Sequence, residues 1–328
     1  MKTQLTLKQL FTFLTIFTLS AVLSIEGSLA KKVVAITQIT QHPSLDKIRA
    51  GVLHELAAFE KETGEKVEIV YDNAQGNIAL SAQIAQRFAG LNPDAIVAIT
   101  TPSAQSVLSA VKETDIPLVF SAVTDPVGAK LLKRVDLSTS KVTGTIDFPP
   151  VDAQIALIKN LIPNLKNLGV IYNPGEVNSI NQVKALDELA TKMGITLQLA
   201  PADSSNKVRS VAESLVGKVE AIYIPNDNAV VSGLDGVLKV SYENKIPIFT
   251  SDGESVERGA LAALANNQYE VGRDTGGLVV QLLSGQNVAQ VAPIISNIPE
   301  LTLNIKTAKK IHIAIPDGII KKATKALE

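Results

Sequence analysis

The sequence predicts an α/β protein built from two similar lobes, each a doubly wound parallel sheet with helices on both faces. Short runs of β-branched and apolar residues alternate with stretches of helical periodicity from residue 32 onwards. The order of strand and helix then occurs again in the second half of the chain. A length of 328 residues accommodates one large or two medium domains.

Each predicted element follows from its own residue pattern. In the first half, buried-strand patterns cover residues 33–36, 66–71, 95–99 and 117–120. Helical spacing covers residues 45–59 and 78–88, and Pro102-Ser103 opens a third helix. In the second half, strands are predicted at 168–172 and 195–199 and helices at 180–193 and 208–216. Gly64 and Gly194 end helices at corresponding places.

Two local matches indicate an internal repeat. Asp-Ala-Ile-Val at 94–97 resembles Glu-Ala-Ile-Tyr at 220–223. Asp-Ile-Pro-Leu-Val-Phe-Ser at 115–121 resembles Lys-Ile-Pro-Ile-Phe-Thr-Ser at 245–251. Two lobes of this kind enclose a cleft, and ligands of parallel α/β sheets lie beyond the carboxyl ends of the strands.

Composition excludes several classes of protein. Lys and Arg total 31 and Asp and Glu total 32, so no net charge favours nucleic acid or anionic membrane. The chain has no cysteine, which excludes disulfides, thiol catalysis and a Cys-linked lipid anchor. The three histidines lack metal-ligand spacing, and no phosphate-binding glycine loop or Gly-x-Ser-x-Gly elbow occurs. No cofactor and no metal are therefore predicted.

Residues 1–30 have the pattern of a secretory signal peptide. Lys2 and Lys8 precede an uncharged, largely apolar run at 11–25, and Ser28-Leu29-Ala30 offers a cleavage site after Ala30. The alternative is an uncleaved membrane anchor, but the run is shorter than the roughly 20 residues that a span needs. The mature chain is therefore predicted to lie outside the cytosol.

The loops that follow the predicted strands supply the candidate ligand contacts. In the first half these are Ser44, Ser103, Gln105, Ser121, Thr124 and Asp125. In the second half they are Asn173, Ser179, Asn226, Asp227 and Asp252. Hydroxyls and free N–H groups at helix starts suit a carboxylate, and aspartates suit an ammonium group. Any one of these residues is more often a helix cap than a ligand contact, so only the whole pattern indicates a zwitterion site.

Each candidate has an expected role in that site. Ser103, Ser121 and Ser179 are expected to hold the ligand carboxylate. The ammonium group is expected at Asp252, together with Asp125 or Asp227. Gln105 and Asn226 are expected to orient the ligand.

Five motifs in the same order resemble one known family. They are Gln-His-Pro-Ser-Leu-Asp at 41–46, Ser-Ala-Val-Thr-Asp-Pro-Val-Gly-Ala at 121–129, Tyr-Asn-Pro-Gly-Glu-Val-Asn-Ser at 172–179, Tyr-Ile-Pro-Asn-Asp-Asn at 223–228 and Gly-Arg-Asp-Thr-Gly at 272–276. Over essentially the whole mature chain, the sequence resembles the ABC transporter substrate-binding proteins that include tryptophan- and tyrosine-binding members. The resemblance implies a type I periplasmic binding protein, whose lobes are joined by three hinge crossovers and close on the ligand.

This resemblance implies further expectations. One lobe would comprise residues 31–146 plus 253–285 and the other 147–252 plus 286–328, with crossovers near Asp147, Gly253 and Gly285. The protein would be a periplasmic monomer and not an enzyme. It would deliver its ligand to a membrane permease that a separate ATPase drives.

The expected ligand is a small zwitterion, first of all an aromatic amino acid. Phe148 at the first crossover is a candidate for stacking on a ligand ring, as is Tyr269. Aromatic residues make up only 4% of the chain, so an aliphatic amino acid stays possible. The alternatives are a binding protein of the same fold for a sugar or nucleoside, a secreted α/β enzyme, and a sensory domain. The low aromatic content argues against a sugar.

Overall fold

The computed structural model describes residues 31–328, and strands and helices alternate along this part of the chain. The predicted signal peptide and its cleavage position after Ala30 lie outside the described residues. The strands form two separate sheets, one of six strands and one of seven. The predicted fold of two α/β lobes is confirmed.

The sheet of the first lobe is parallel throughout. Its strands in spatial order are β11 (Ile294–Ile295), β5 (Val142–Ile146), β4 (Leu118–Val123), β3 (Ala95–Ile99), β1 (Lys32–Gln38) and β2 (Val67–Asn73). The helices of this lobe are α1 (Pro43–Thr63), α2 (Ile78–Gly90), α3 (Thr101–Ala110) and α10 (Gln268–Leu283). All five residues of β3 are buried, as the apolar run predicts for a central strand with helices on both faces.

The sheet of the second lobe is parallel except where β12 runs against β10. Its strands in spatial order are β13 (Lys325–Leu327), β12 (Pro299–Asn304), β10 (Ala262–Asn266), β9 (Ile248–Thr250), β8 (Ala221–Ile224), β6 (Asn167–Tyr172) and β7 (Thr196–Pro201). Its helices are α4 (Val151–Leu161), α5 (Val177–Lys192), α6 (Val208–Ser214), α7 (Asn228–Ser232), α8 (Leu234–Asn244), α9 (Gly253–Arg258), α11 (Ile305–Ile311) and α12 (Asp317–Ile320).

Strand pairing corrects two of the expected lobe boundaries. Residues 253–266 were assigned to the first lobe, but β10 pairs with β9 and therefore belongs to the second sheet. Residues 286–295 were assigned to the second lobe, but β11 pairs with β5 in the first sheet. The chain therefore changes sheet at Asp147, between Asn266 and Gln268, and at residues 296–298. Gly253 is the first residue of α9 and Gly285 directly follows α10's last turn, so neither lies at a crossover.

Helices α1 and α10 pack so closely that only glycine fits at their contact. A Cβ atom on Gly51 would lie 2.2 Å from the carbonyl oxygen of Tyr269. A Cβ atom on Gly272 would lie 2.0 Å from the carbonyl oxygen of Ile48. The close contact fixes the N-terminal ends of both helices, and these ends carry Ser44 and Gln268 to the space between the lobes.

Candidate ligand-binding site

A cleft of about 560 Å³, open on one side to solvent, lies between the lobes. Residues from the strand-end loops and helix starts of both lobes line it. They are Thr40, His42, Ser44, Leu45, Thr100, Thr101, Ala122, Thr124, Asp147, Asn178, Asn226, Asp227, Asn228, Val231, Asp252 and Gln268.

The N-terminus of α3 forms one wall of the cleft. Thr100 precedes the helix with φ of 78°, and its side chain makes no capping hydrogen bond. This left-handed conformation is costly for a β-branched residue, and such strain is frequent at functional sites. The hydroxyls of Thr100, Thr101 and Ser103 are buried and have no hydrogen-bond partner among the described residues. Uncapped N–H groups, unpartnered hydroxyls and the positive end of the helix dipole together make a receptor for a carboxylate.

Asp147 lies at the first crossover and is only 4% exposed. The side-chain amide of Asn266 donates to one carboxylate oxygen at 2.7 Å, and that of Gln268 donates to the other at 3.0 Å. Desolvation by burial raises the pKa of Asp147, and these two hydrogen bonds only partly oppose that effect. Among residues 31–328 the carboxylate has no salt-bridge partner. A cationic ligand group would therefore meet a buried, uncompensated negative charge.

Asp227 and Asp252 line the cleft but also cap helices. Asp227 accepts from the backbone N–H of Val230 at 2.9 Å and from the hydroxyl of Ser179 at 2.6 Å. Burial, and then the neighbouring Glu176 carboxylate, raise the pKa of Asp227 to about 7. Asp252 accepts from the backbone N–H and the hydroxyl of Ser255, each at 2.7 Å. Both carboxylates therefore already accept hydrogen bonds from the protein, and the hydroxyl of Ser44 also lies 3.2 Å from Asp252.

His42, Leu45 and Val231 form the less polar part of the lining. His42 caps α1, and its Nδ1 accepts from the backbone N–H of Ser44 at 3.2 Å. Its Nε2 is buried and has no partner among the described residues. Desolvation lowers the pKa of His42, although the charge of Asp252 acts in the opposite direction, so the ring is neutral at neutral pH.

Five of the residues singled out from sequence line the cleft. They are Ser44, Thr124, Asn226, Asp227 and Asp252. They come together because each directly follows a strand or starts a helix at the same end of its sheet.

The other candidates in the first lobe do not line the cleft. Ser121 is fully buried and shares hydrogen bonds with Thr275 behind the strand. Gln105 donates to the carbonyl of Ala129 at 3.3 Å. Ser103 lies within the first turn of α3, after Thr100 and Thr101 in the chain. Unlike those two residues, it does not line the cleft. Ser121 and Gln105 are close to the site along the chain but use their side chains inside the lobe, whereas the buried hydroxyl of Ser103 has no partner among the described residues.

The remaining candidates hold the second lobe or the lobe interface together. Ser179 donates to Asp227, and Asn173 turns its side chain to the backbone N–H of Gly175 at 2.9 Å. Asp125 accepts from the side chain of Asn181 at 2.7 Å. Phe148 is 44% exposed and lies outside the cleft lining, so it offers no enclosed wall for stacking.

Sequence reasoning missed several lining residues. Thr100 and Thr101 immediately precede the predicted helix start at Pro102-Ser103. They have side-chain hydroxyls at a helix start, which is the feature by which Ser103 was selected. From sequence, Asp147 was named only as the expected position of the first crossover, not as a ligand contact. Gln268 was missed because its helix reaches the cleft through the α1–α10 contact, which connects distant parts of the chain. The others are Thr40, His42, Leu45, Ala122, Asn178, Asn228 and Val231.

Direct contacts join the two lobes across the cleft. Ser44 on α1 donates to Glu254 on α9 at 2.8 Å, and Lys47 pairs with the same carboxylate at 2.9 Å. The hydrogen bond that Asn181 donates to Asp125 also joins the two lobes. The structure therefore shows the lobes in a closed arrangement.

Two closing lobes, an anion receptor on one wall and buried carboxylates nearby define a protein that binds a small solute between its domains. No group of acidic or histidine residues within 31–328 has the geometry to hold a metal ion. No helix in that part of the chain is long and apolar enough to cross a membrane.

Residues 33–327 match the family model of the ABC transporter substrate binding protein. The chain belongs to this family. Proteins of the family bind small-molecule ligands and work with a membrane permease, which makes them transport components rather than enzymes. The sequence resemblance is thus confirmed.

Three similar proteins show how closely this chain resembles known substrate-binding proteins. A tyrosine-binding protein of Clostridioides difficile is 37% identical over 283 residues, which cover 86% of this chain and 81% of the relative. An ABC domain in complex with L-Trp from Streptococcus pneumonia is 33% identical, with a TM-score of 0.86, and the match covers 91% of this chain and 100% of that one. A substrate-binding protein with adhesive properties from Clostridium difficile, in a ligand-free, open structure, is 36% identical, with a TM-score of 0.68 over 90% and 99% of the two chains.

The two structural matches differ in TM-score although their sequence identities are similar. The tryptophan complex superposes much better than the ligand-free, open structure. Because the sequence identities are nearly equal, the lower score of the structure described as open is what a different placement of the lobes would produce. The lobes of this chain are arranged more like those of the tryptophan complex, in agreement with the contacts across its cleft.

Proposed function

We propose that this chain binds the zwitterion of an aromatic amino acid in the cleft and delivers it to an ABC permease. The observation that carries the proposal is that one cleft is lined both by an uncapped helix N-terminus and by a buried carboxylate, Asp147, that has no salt-bridge partner among residues 31–328. The tyrosine-binding protein and the tryptophan complex among the relatives support the aromatic class of ligand.

The α-carboxylate of the ligand binds at α3. There the hydroxyls of Thr100 and Thr101 are buried and have no partner within residues 31–328, and the helix N-terminus supplies free N–H groups and positive potential. A carboxylate accepts all of these donors at once. The strain at Thr100 is consistent with a loop held in position for a ligand.

The ammonium group of the ligand binds at Asp147. Of the three aspartates that line the cleft, Asp147 caps no helix, and the two side-chain amides leave part of its acceptor capacity free. A bound ammonium group lowers the pKa of this carboxyl group towards its ordinary value. Binding thereby removes the cost of keeping an unpaired charge buried.

The side chain of the ligand lies in the part of the cleft lined by His42, Leu45 and Val231. These residues come from both lobes, so closure is needed to complete the enclosure. Closure then places both lobes at the spacing that the permease recognises. The site of action is the periplasm, the mature protein begins after Ala30, and the protein acts as a monomer.

A binding screen on residues 31–328 tests the proposal. The protein is unfolded and refolded to remove ligand, and amino acids, sugars and nucleosides are then compared by thermal shift and calorimetry. An aromatic amino acid at a thousandfold over its Kd adds about 4 kcal/mol of stability, a shift of several degrees. A response only to sugars or nucleosides would overturn the zwitterion site.

Asp147→Asn tests the ammonium contact, and Asp152→Asn is its matched control. Asp152 lies on the exposed face of α4's first turn, only five residues away. Loss of a charge-assisted hydrogen bond is worth about 1.5 to 3 kcal/mol, so affinity falls by about ten- to more than a hundredfold in D147N. Unchanged affinity in D147N, or an equal loss in D152N, would contradict this assignment.

A further inference from the structure

The ring of His42 is held in one orientation and one tautomer. Because Nδ1 accepts a hydrogen bond from the backbone N–H of Ser44, it carries no proton, and the neutral ring is protonated at Nε2. A second proton on Nδ1 would also remove the N-cap of α1. The cap therefore presents Nε2–H as a fixed donor beside the cleft.

This donor has no partner in the part of the chain that the structure describes. His42 is only 6% exposed and lines the cleft, and Nε2 makes no hydrogen bond with any residue in 31–328. Four charged groups act on the ring: Asp252, Glu254 and Asp46 favour its protonation, and Arg258 opposes it. A buried donor left unsatisfied costs free energy, so an acceptor supplied by the ligand would be strongly preferred.

We propose that His42 Nε2 donates to an acceptor on the ligand side chain and thereby selects a hydroxylated aromatic ring over phenylalanine and over an indole. The inference rests on the proposed function, because it concerns the side chain of the same amino acid ligand. Leu45 and Val231 contact the ring of the ligand in the same part of the lining.

The three aromatic amino acids differ in what they offer this donor. The phenol oxygen of tyrosine accepts from Nε2–H while its own proton stays free. Phenylalanine offers nothing and leaves the donor buried and unpaired. The indole N–H of tryptophan is a donor only, so it opposes Nε2–H rather than pairing with it. The expected order of affinity is tyrosine first, with phenylalanine and tryptophan weaker by about tenfold or more.

His42→Asn separates the two roles of the histidine. Asparagine is a good N-cap and keeps an acceptor for the Ser44 N–H, but it lacks the distal donor. The expected result is a tyrosine-to-phenylalanine affinity ratio that falls from about ten or more to about one, with the thermal midpoint nearly unchanged. His42→Leu removes both the cap and the donor, so it lowers the ratio and the midpoint together.

Calorimetry with tyrosine and phenylalanine gives the ratio, and fluorescence gives the affinity for tryptophan. The protein contains no tryptophan, so emission excited beyond the tyrosine band comes from the ligand alone, and its change on binding gives the affinity. The control is His312→Asn, at the left-handed C-cap of α11, where asparagine is tolerated. This control is expected to leave the ratio as in the wild type.

The outcomes separate the two proposals. If the wild-type protein binds no aromatic amino acid, the proposed function and the role of His42 are both overturned. If aromatic amino acids bind but H42N keeps the wild-type ratio, only the role of His42 is overturned. A wild-type protein that prefers tryptophan or phenylalanine to tyrosine contradicts it equally.

Discussion

Replacement of Gly272 by alanine tests whether the close contact of α1 and α10 supports both the fold and the cleft. The new Cβ would lie 2.0 Å from the Ile48 carbonyl oxygen and 2.7 Å from its carbonyl carbon, whereas ordinary contact begins at 3.4 Å. Both atoms belong to the backbone of a helix, so neither can move aside alone. The two helices must separate by more than 1 Å, and forced overpacking of this kind costs about 1 to 3 kcal/mol.

Gly277→Ala is the matched control on the same helix. A Cβ at Gly277 meets nothing within 4 Å. It therefore brings only the better helix propensity of alanine, up to about 1 kcal/mol. The two substitutions share this propensity gain, so the difference between them reports the steric clash. We expect the free energies of unfolding to differ by about 1 to 3 kcal/mol, with G277A the more stable.

The assay is urea unfolding of both variants, followed by ligand titration. In G272A we also expect weaker binding, because separation of the helices moves Gln268 away from Asp147 and shifts Ser44. G277A is expected to bind as the wild type does. Unfolding free energies within about 0.5 kcal/mol of each other would refute the reasoning that the contact has no room for a methyl group.

Three further substitutions test the electrostatics and strain of the cleft. Burial raises the pKa of Asp227 to about 7, so the folded state binds this proton more tightly than the unfolded state does. The stability that this protonation contributes is therefore lost as pH rises from about 4 to about 7. Unfolding free energies measured over this range should shift in favour of Asp227→Asn as pH rises, and a constant difference would contradict the raised pKa. Lys47→Met leaves the buried Glu254 carboxylate without its salt-bridge partner in the closed form. Calorimetry should therefore show a several-fold loss of ligand affinity. Unchanged affinity would show that this ion pair does not contribute to closure. Thr100→Gly relieves a left-handed conformation and should raise the thermal midpoint of the ligand-free protein while weakening ligand binding; a lower midpoint would argue against strain.

The lobes were predictable from sequence because buried parallel strands have a strong local pattern. The runs at 95–99 and 168–172 are apolar without interruption, and the structure confirms both as strands. The strand Ala262–Asn266 was not recognised, since three of its five residues are alanine and none is β-branched. The crossover that the family resemblance implied near Gly253 therefore lies before this strand, whereas the chain changes sheet after Asn266.

The candidate site was only partly predictable, because chain position does not fix the direction of a side chain. Strand ends and helix starts identified Asn226, Asp227 and Asp252, which do line the cleft. The same rule also selected Ser121, whose hydroxyl is instead shared with Thr275 inside the lobe. Asp147 carries no local signal of its own, since its role depends on amides from residues 266 and 268 that the fold brings to it.

The distribution of charge in the cleft favours one class of ligand. Among the described residues, three aspartates and no lysine or arginine line it, and the N-terminus of α3 is a positive element there that no side chain caps. A ligand with two carboxylates would place the second among Asp147, Asp227 and Asp252, where it would be repelled. A ligand without an ammonium group would leave Asp147 buried and unpaired. A zwitterion with an uncharged side chain would satisfy both walls, and Leu45 from one lobe and Val231 from the other supply apolar groups for its side chain.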